Sequence, residues 1–377
     1  MLNQQKVVER ILSNVEKNYI VFDDRCVFLK HKKSDCNLCV NYCPAEAIRL
    51  NRITKKVSID PDKCIECGIC TNICPTEVFK STHFREREIF TKGKTLLELN
   101  RNLEVKCAQN DEADSDRTLE VNCLGFIHQS HILGLIALGA DVIHFRHAEC
   151  QKCEKKFGKE LISKTIKEVN ALLRPYYEKN APQLTSGTEP TAFSSNSEKI
   201  ENLTAEGNDI DKVTRREFIA SLIKKGRYSV AYSLNLVLRK ERHVTRKRSN
   251  FTDKHLPATR KLLLAALNNL DSPVDTFIDT KELTGITDLE IISDQCSVCP
   301  SCSNFCPTGA LTRTEVKNKR GKTIDATLFF NSSQCTKCGL CLVACFTNAM
   351  HYSDQLSINS FISEQPRILQ EKPQEIL

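Results

Sequence analysis

Sixteen of the twenty cysteines in this chain fall into four short groups, and no other feature of the sequence restricts the fold as strongly. Three groups share one spacing, in which two residues separate the first three cysteines and three residues precede the fourth. These groups begin at Cys64, Cys296 and Cys335. The group nearest the N-terminus is a variant, Cys36-x2-Cys39-x3-Cys43, with Cys26 upstream. Three copies of one spacing exclude coincidence and indicate a chain built around thiol ligands.

This spacing is typical of loops that hold a [4Fe–4S] cluster, which needs four thiolates, three from one tight loop and one from elsewhere. Structural zinc sites more commonly use two separated Cys-x2-Cys pairs. Disulfide frameworks belong mainly to secreted chains, and residues 1–20 contain neither a continuous apolar stretch nor a small-residue cleavage site. We therefore expect reduced thiols, clusters in place of zinc, and a cytoplasmic location.

Charge and hydropathy narrow the range of partners. The formal net charge is +7, but each oxidised cluster with four thiolates carries about −2, so four clusters would leave the protein near −1. Nucleic acid is therefore not an expected partner. The longest apolar stretch, Ile132 to Ile143, is interrupted by two glycines and an aspartate and predicts a buried helix and strand, with no membrane span. The sequence contains no dinucleotide-binding or phosphate-binding motif, so no flavin or nicotinamide site is expected.

The distribution of cysteines, charges and apolar residues divides the chain into seven segments. Two cysteine-rich modules flank a small α/β domain and a basic helical segment, which predicts the α+β class. The expected segments are an N-terminal amphipathic helix (1–25), the first module (26–84), an α/β domain with four cysteines (85–178), a flexible linker (179–211), the basic helical segment (212–290), the second module (291–353) and a loose tail (354–377).

Within each module, two cysteine loops flank a short hairpin. In the second module, Leu311–Thr314 and Thr323–Phe330 alternate around a polar turn at Asn318–Gly321. The cysteine runs, the prolines after Cys43, Cys74 and Cys306, and this order of elements resemble the bacterial two-cluster ferredoxins. The resemblance covers about a third of the chain and implies a ferredoxin-like fold for both modules.

In that family the fourth cysteine of each run ligates the neighbouring cluster. The resemblance therefore implies four [4Fe–4S] sites, each with one ligand from the other run. Their ligands would be Cys26, Cys36, Cys39 and Cys74 at site A; Cys43, Cys64, Cys67 and Cys70 at site B; Cys296, Cys299, Cys302 and Cys345 at site C; and Cys306, Cys335, Cys338 and Cys341 at site D.

Site A departs from the family pattern, because Lys33 stands where the first ligand of the loop is usual. Cys26, on a longer loop, is the expected substitute. The rival interpretations are a [3Fe–4S] cluster and a [4Fe–4S] cluster with an open iron that binds substrate. Gly68 and Gly339 lie between ligands of sites B and D, where the chain bends closely around a cluster and a positive φ is expected.

Four further cysteines, Cys107, Cys123, Cys150 and Cys153, lie in the α/β domain. The sequence predicts strands at Leu103–Cys107, Leu119–Cys123 and Val142–Phe145 and a helix at His128–Leu138. The four cysteines would then lie at or beyond the carboxyl ends of strands, where open α/β sheets bind their ligands.

Segments of this domain resemble the delta subunit of methyl-viologen-reducing hydrogenase, an iron–sulfur protein that links a hydrogenase to a partner reductase. The resemblance lies in Asn122–Gly125, in Leu138–Asp141 and in the Cys150-x2-Cys153 pair. It implies a fifth centre, a [2Fe–2S] cluster, on the four cysteines. Two alternatives stay open: a zinc site or redox disulfide, with His144 and His147 nearby, and ordinary buried thiols.

The expected function is the relay of single electrons, through four [4Fe–4S] clusters, between a soluble donor and a partner oxidoreductase. Hydrogenase, formate dehydrogenase or reductase subunits are the expected partners. One alternative is a redox enzyme that works at an open iron of site A or at a Cys150/Cys153 dithiol. The other is an oxygen or redox sensor or a cluster-assembly factor. The sequence does not decide whether the chain is an enzyme, and a non-catalytic carrier or iron–sulfur subunit is the favoured interpretation.

Overall fold

The computed structural model describes residues 19–82, 86–190 and 254–372. Residues 1–18 of the predicted N-terminal helix, residues 191–211 of the predicted linker and residues 212–253 of the basic segment lie outside these ranges. Within them, the chain forms two cysteine-rich modules and a parallel α/β domain, in agreement with the predicted α+β class.

The first module consists of two antiparallel strand pairs and three short helices. Strand β1 (Tyr19–Val21) pairs with β4 (Phe79–Ser81), and β2 (Ile48–Asn51) pairs with β3 (Lys56–Ile59). The helices are Val27–Lys30, Leu38–Asn41 and Ile69–Ile73. Residues 19–25 were expected in the N-terminal helix, but they form β1 and a 3₁₀ turn at Asp23–Arg25, because Tyr19 is buried in the module core.

The second module repeats this plan. Strand β10 (Asp288–Ile291) pairs with β13 (Met350–Ser353), and β11 (Leu311–Lys317) pairs with β12 (Thr323–Phe330). Its helices are Ser301–Phe305 and Leu340–Ala344. The predicted hairpin is confirmed, and its turn closes where the amide of Gly321 donates to the carbonyl of Asn318 at 2.9 Å.

The C-terminal segment is folded onto the second module. It contains strand β14 (Gln355–Ser357), a helix at Ile358–Ile362 and strand β15 (Arg367–Lys372). Strand β14 pairs with β9 (Phe277–Asp279), and β15 pairs with β12. The prediction of a loose tail is therefore wrong for residues 355–372. Its few apolar side chains are sufficient to anchor it, because Leu356, Ile358 and Phe361 are fully buried.

The α/β domain is a four-stranded parallel sheet with the strand order β6-β5-β7-β8. The strands are β5 (Asn102–Cys107), β6 (Thr118–Val121), β7 (Val142–Arg146) and β8 (Gln183–Gly187), and the helices are Glu86–Leu99, Gln129–Ala137 and Gly158–Leu173. Strand β8 lies in the predicted linker and extends the domain beyond residue 178, because its backbone pairs with β7.

The helix Gln129–Ala137 is buried along its whole length, as its apolar sequence predicts. It packs against the helix Ala258–Leu267, in which Leu262 and Leu263 are fully buried. The described part of the basic segment therefore belongs to the core, and it contains β9 and the start of β10 in addition to its helix. None of the described helices combines the length and the apolar character that a membrane crossing requires.

Candidate metal centres

Two of the four predicted cysteine groups line a cavity. At site A, Cys26, Cys36, Cys39 and Cys74 line a cavity of about 20 Å³. At site D, Cys306, Cys335, Cys338 and Cys341 line a cavity of about 20 Å³. The two cavities have almost the same size although they lie in different modules. Each combines cysteines from two separate loops, which is the arrangement that a polyatomic cluster requires.

The thiols of sites B and C are grouped in the same way. Burial, with the nearby charges of Cys43 and Cys64, raises the pKa of Cys67 to about 11. At site C, burial raises the pKa of Cys302 to about 12, with contributions from Cys299, Cys296 and Cys345. In both groups one thiol belongs to the other cysteine run, as the resemblance implies.

The ligand loops depend on residues with positive φ. Gly68 has φ +77° and Gly339 has φ +79°, and each precedes a helix that carries the third cysteine of its run. This confirms the expected conformation of both glycines. The second residue after the first cysteine is also left-handed, and it is Glu66, Val298 or Lys337 at sites B, C and D (φ 54°, 52° and 52°).

The donor set suits a cluster. All twenty cysteines lie in the described ranges and are free thiols. Within those ranges, no set of three or more His, Cys, Asp or Glu side chains is placed to hold a single metal ion. A zinc ion would need its thiolates at about 2.3 Å, whereas the thiols of sites A and D stand around a cavity.

The four groups follow one another through the molecule. Burial raises the pKa of Cys70 at site B, and the charge of Cys39 at site A adds to this rise. The charge of Cys36, also at site A, contributes to the raised pKa of Cys338 at site D. The charge of Cys302 at site C likewise contributes to the raised pKa of Cys341 at site D. The sites are therefore neighbours in the order B, A, D, C.

A buried carboxylate links the site A loop to residues 255–258, the segment that adjoins site D. Glu77, three residues after Cys74, accepts hydrogen bonds from His255 Nε2 at 2.6 Å, Arg25 Nη1 at 3.1 Å and the amide of Ala258 at 3.2 Å. Burial opposes the charge of Glu77, but the hydrogen bond from His255 and the charges of His255 and Arg25 hold its pKa below the usual value.

Two further contacts lie beside this carboxylate, one between the basic segment and the second module and one between the two modules. The amide of His255 donates to the carbonyl of Pro307, which follows Cys306, at 2.8 Å. The rings of His31 and Phe305 meet edge to face with centroids 4.8 Å apart. The first and second modules are therefore packed against each other close to the ligand loops of sites A and D.

The structure also brings the four central cysteines together at the carboxyl edge of the parallel sheet. Burial raises the pKa of Cys123 to about 12, with contributions from Cys107, Cys67 and Cys150, and Cys153 acts in the same way on Cys150. A Cβ atom at Gly158 would lie 3.1 Å from the Cys123 sulfur and 3.6 Å from the Cys150 sulfur. The absent side chain of Gly158 leaves space between two of the four thiols.

The neighbouring histidines do not belong to this group. Nδ1 of His144 bonds to Thr185 Oγ1 at 2.8 Å and Nε2 bonds to the carbonyl of Glu189 at 3.1 Å. Nδ1 of His147 bonds to the carbonyl of Ala148. Both ring nitrogens of His144 are therefore occupied on the β8 side of the sheet, which does not favour a mixed cysteine–histidine zinc site.

Sequence reasoning missed four residues that adjoin the ligand loops. Tyr19, in β1 of the first module, and Tyr352, in β13 of the second, lie beside Gly68 and Gly339. Burial and the nearby cysteine charges raise the pKa of both hydroxyls. Lys254 and Arg260, from the basic segment, contact the site D loops. Nothing local in the sequence distinguished these four residues, because Tyr19 precedes the first cysteine run and Tyr352 follows the last one.

Comparison with known proteins supports this assignment. Residues 34–78 and 295–349 match the family model of the 4Fe-4S dicluster domain. A comparison with curated proteins and with solved structures gave no match. The matched segments contain fifteen of the sixteen grouped cysteines, and Cys26 lies just outside them. The chain thus contains two 4Fe-4S dicluster domains, the iron–sulfur domains of ferredoxin-like electron transfer.

Proposed function

We propose that this chain holds four [4Fe–4S] clusters at sites A to D and relays single electrons between redox partner proteins. Each cluster, when bound, supplies one reversible one-electron carrier. The protein supplies the thiolates, excludes water, and fixes the order of the sites. The observation that carries the proposal is the packing of the two modules beside sites A and D, where the rings of His31 and Phe305 lie 4.8 Å apart, because it brings two separate modules into one row of sites, B–A–D–C.

Cys26 is the proposed fourth ligand of site A. Its side chain is buried, and it lines the same cavity as Cys36, Cys39 and Cys74. Burial raises the pKa of Cys26 to about 11, and the charges of Cys74 and Cys36 add to the rise. Four thiols around one cavity support a complete four-iron cluster and give no support to the alternative of an enzyme that works at an open iron.

The central cysteines extend the row beyond site B. The side-chain amide of Asn122 donates to the carbonyl of Glu66, inside the site B loop, at 2.6 Å. Cys67 is close enough for its charge to raise the pKa of Cys123. We propose that these four cysteines form a further redox centre, for which a [2Fe–2S] cluster stays the predicted occupant. The resemblance to a hydrogenase delta subunit makes a hydrogenase or related reductase the proposed partner.

Anaerobic reconstitution with iron and sulfide tests the proposal. The expected result is a brown protein with about 16 iron atoms per chain for four clusters, or about 18 with a [2Fe–2S] centre. Reduction by dithionite should then give EPR signals of coupled clusters, since neighbouring sites interact magnetically. A chain in which serine replaces Cys107, Cys123, Cys150 and Cys153 should still bind about 16 iron atoms.

The outcomes separate the alternatives. A colourless, zinc-loaded protein that dithionite does not reduce would contradict the proposed function. A loaded protein that converts substrate without a partner would instead support an enzyme. A protein that transfers electrons from reduced methyl viologen to an added acceptor protein, with no chemical change of its own, is the expected result.

A further inference from the structure

Site D differs from the other three sites in its charge. Lys254 Nζ donates to the carbonyl of Cys306 at 2.7 Å and to the carbonyls of Ser303 and Asn304 at 2.9 Å. Arg260 Nη2 donates to the carbonyl of Cys335 at 2.8 Å, and Arg260 is only 5% exposed. Two cations are thus hydrogen-bonded to the backbone of two proposed ligands of one site.

A third cation lies inside the ligand loop itself. Lys337 stands between Cys335 and Cys338, and its ammonium donates to the carbonyls of Thr280 at 2.7 Å and Leu283 at 3.2 Å. Among the described residues, Lys254, Arg260 and Lys337 form no ion pair with a carboxylate, so their charges are not neutralised by a direct partner. The charge of Asp288 contributes to the raised pKa of Cys335, but Asp288 is itself paired with Arg367 at 2.8 Å.

Site D also has buried donors without a protein partner. In the described part of the chain, Arg260 Nη1, Thr336 Oγ1 and Tyr352 OH are buried and make no hydrogen bond. Thr336 and Tyr352 line the site D cavity together with the four cysteines. An unpaired buried donor costs free energy unless an acceptor is present. Sulfur atoms inside the cavity would be such acceptors.

The other sites have cations that are offset by carboxylates. At site C, Arg313 Nε donates to the carbonyl of Val298 at 2.6 Å, but its Nη1 pairs with Glu315 at 2.6 Å. At site A, Arg25 pairs with Glu77, and the charge of Glu77 acts on Cys74.

Site B is offset in the same way. The charge of Lys155 lowers the pKa of Cys67, while that of Glu66 raises the pKa of Cys64. At the same loop position, site D has Lys337 where site B has Glu66. Site D therefore has three cations beside its ligand loops that no carboxylate pairs directly, although the charges of Glu168 and Asp279 act on Lys337 from a distance.

We propose that site D is the most readily reduced of the four sites, so that the first electron from a low-potential donor resides there, in the middle of the row. One added electron increases the negative charge at the site by one. Cations and hydrogen-bond donors stabilise that added charge, and hydrogen bonds and net charge set the potential of an iron–sulfur site. This inference rests on the proposed function, and Lys254, Arg260, Lys337 and Tyr352 act in it as positioning residues that tune the site.

A redox titration of the reconstituted protein with dithionite, followed by EPR, tests the inference. In Lys337→Gln, the equilibrium constant for uptake of the first electron should fall about tenfold, which is about 59 mV for one electron. Lys337→Arg keeps the charge and should restore the wild-type midpoint. Tyr352→Phe removes only the unpaired hydroxyl and should lower the same midpoint by a smaller amount.

Two matched variants control for charge and for site. Lys319→Gln removes one positive charge from the exposed hairpin turn and should leave the first midpoint unchanged. Arg313→Gln removes a cation from site C and should also leave it unchanged.

Iron and sulfide analysis distinguishes a failure of the proposed function from a failure of the inference about site D. If the wild-type chain does not load clusters, the proposed function fails. If the variants carry the wild-type amount of iron and neither Lys337→Gln nor Tyr352→Phe moves the first midpoint, the inference about site D alone is overturned. If Lys337→Gln does not bind clusters, the first midpoint of Tyr352→Phe tests the inference in its place: an unchanged midpoint overturns it.

Discussion

At Gly68 the ligand loop of site B turns through the left-handed region and at the same time touches the α/β domain. A Cβ atom there would lie 2.9 Å from Cδ2 of Phe126, closer than real Cβ atoms approach a carbon. Gly321, in the hairpin of the second module, has almost the same φ, +76° against +77°, but no atom within 4 Å of its absent Cβ. Comparing Gly68 with Gly321 therefore separates two free-energy costs. One is the cost of a side chain at this positive φ, and the other is the cost of its clash with Phe126.

We expect Gly321→Ala to lower the free energy of unfolding by about 1 kcal/mol, because an L-residue with a side chain disfavours this φ. Gly68→Ala should cost more, since the new methyl group also displaces Phe126 from the loop. Anaerobic urea titration of the loaded proteins measures the difference. Equal losses for the two variants would show that the contact between Gly68 and Phe126 contributes nothing.

Cys26 is the residue on which the completeness of site A depends. Cys26→Ser should convert or remove one cluster, with a loss of about one to four iron atoms per chain, because serine is a poor ligand for iron–sulfur clusters. Cys36→Ser, in the same cavity, is the matched variant and should have a similar effect. Iron analysis and EPR measure both. An intact four-iron signal in Cys26→Ser, with loss only in Cys36→Ser, would show that Cys26 is no ligand.

At the scale of elements, the C-terminal helix Ile358–Ile362 and strand β15 complete the second module. Phe361 is fully buried, whereas Phe346, directly after the last cysteine, is 67% exposed. Strand β15 covers the edge of β12, which would otherwise present unpaired backbone groups. The stability of the second module should therefore depend on residues that lie well outside its cysteine runs.

Phe361→Ala should lower the free energy of unfolding by about 3 to 5 kcal/mol, the usual cost of a large cavity in a core. Phe346→Ala removes the same atoms from an exposed position and should change it by less than about 0.5 kcal/mol. Anaerobic urea titration again measures the effect. A small loss for Phe361→Ala would mean that the segment after β13 does not support the module.

The sequence predicted those elements whose signals are local. Strands β5, β7 and β12 show period-two or continuous apolar patterns bounded by polar residues, and the structure places them where these patterns indicate. Strand β1 and the C-terminal helix were not predicted, because each is short and owes its stability to distant partners. Tyr19 faces Ser81 across a strand pair, and the helix around Phe361 packs on a core formed far away in the chain.

The candidate metal centres, too, were predictable from the sequence only where the signal is local. Spacing and family resemblance were sufficient to group the cysteines within each module, since each run is nearly contiguous. The order of the sites was not predictable, because the neighbourhood of Cys36 and Cys338 arises from packing between residues about 300 apart. The cations of site D were hidden for the same reason, since Lys254 and Arg260 appear in the sequence as two charges among many in a basic segment.

At the scale of the whole molecule, the row of sites exists only while the two modules stay in contact. Glu77 is central to that contact, because it joins Arg25 of the first module to His255 and the helix start at Ala258. The side chain of Glu77 is 11% exposed and that of Arg25 is 12% exposed. Glu290 makes a similar bond to His351 on the surface, at 3.1 Å with 57% exposure, and serves as its control.

We expect Glu77→Gln to lower the free energy of unfolding by about 3 kcal/mol, because it leaves a largely buried arginine without its charged partner. Glu290→Gln, at an exposed pair, should cost less than about 1 kcal/mol. Anaerobic urea titration at equal iron content measures both. Electron transfer from the first module to the second should also slow in Glu77→Gln, whereas Glu290→Gln should leave it unchanged.

The pH dependence of the free energy of unfolding should show whether Glu77 stabilises the protein through its charge. Because the pKa of Glu77 is lower in the folded protein than its ordinary value of 4.5, the carboxylate stabilises the folded state fully above pH 4.5. This stabilisation is lost as the pH falls through the lower, folded-state pKa. The difference between wild type and Glu77→Gln should therefore shrink as the pH falls below 4.5. A difference that does not change with pH would mean that Glu77 acts through its shape, and that the contact between the modules does not depend on its charge.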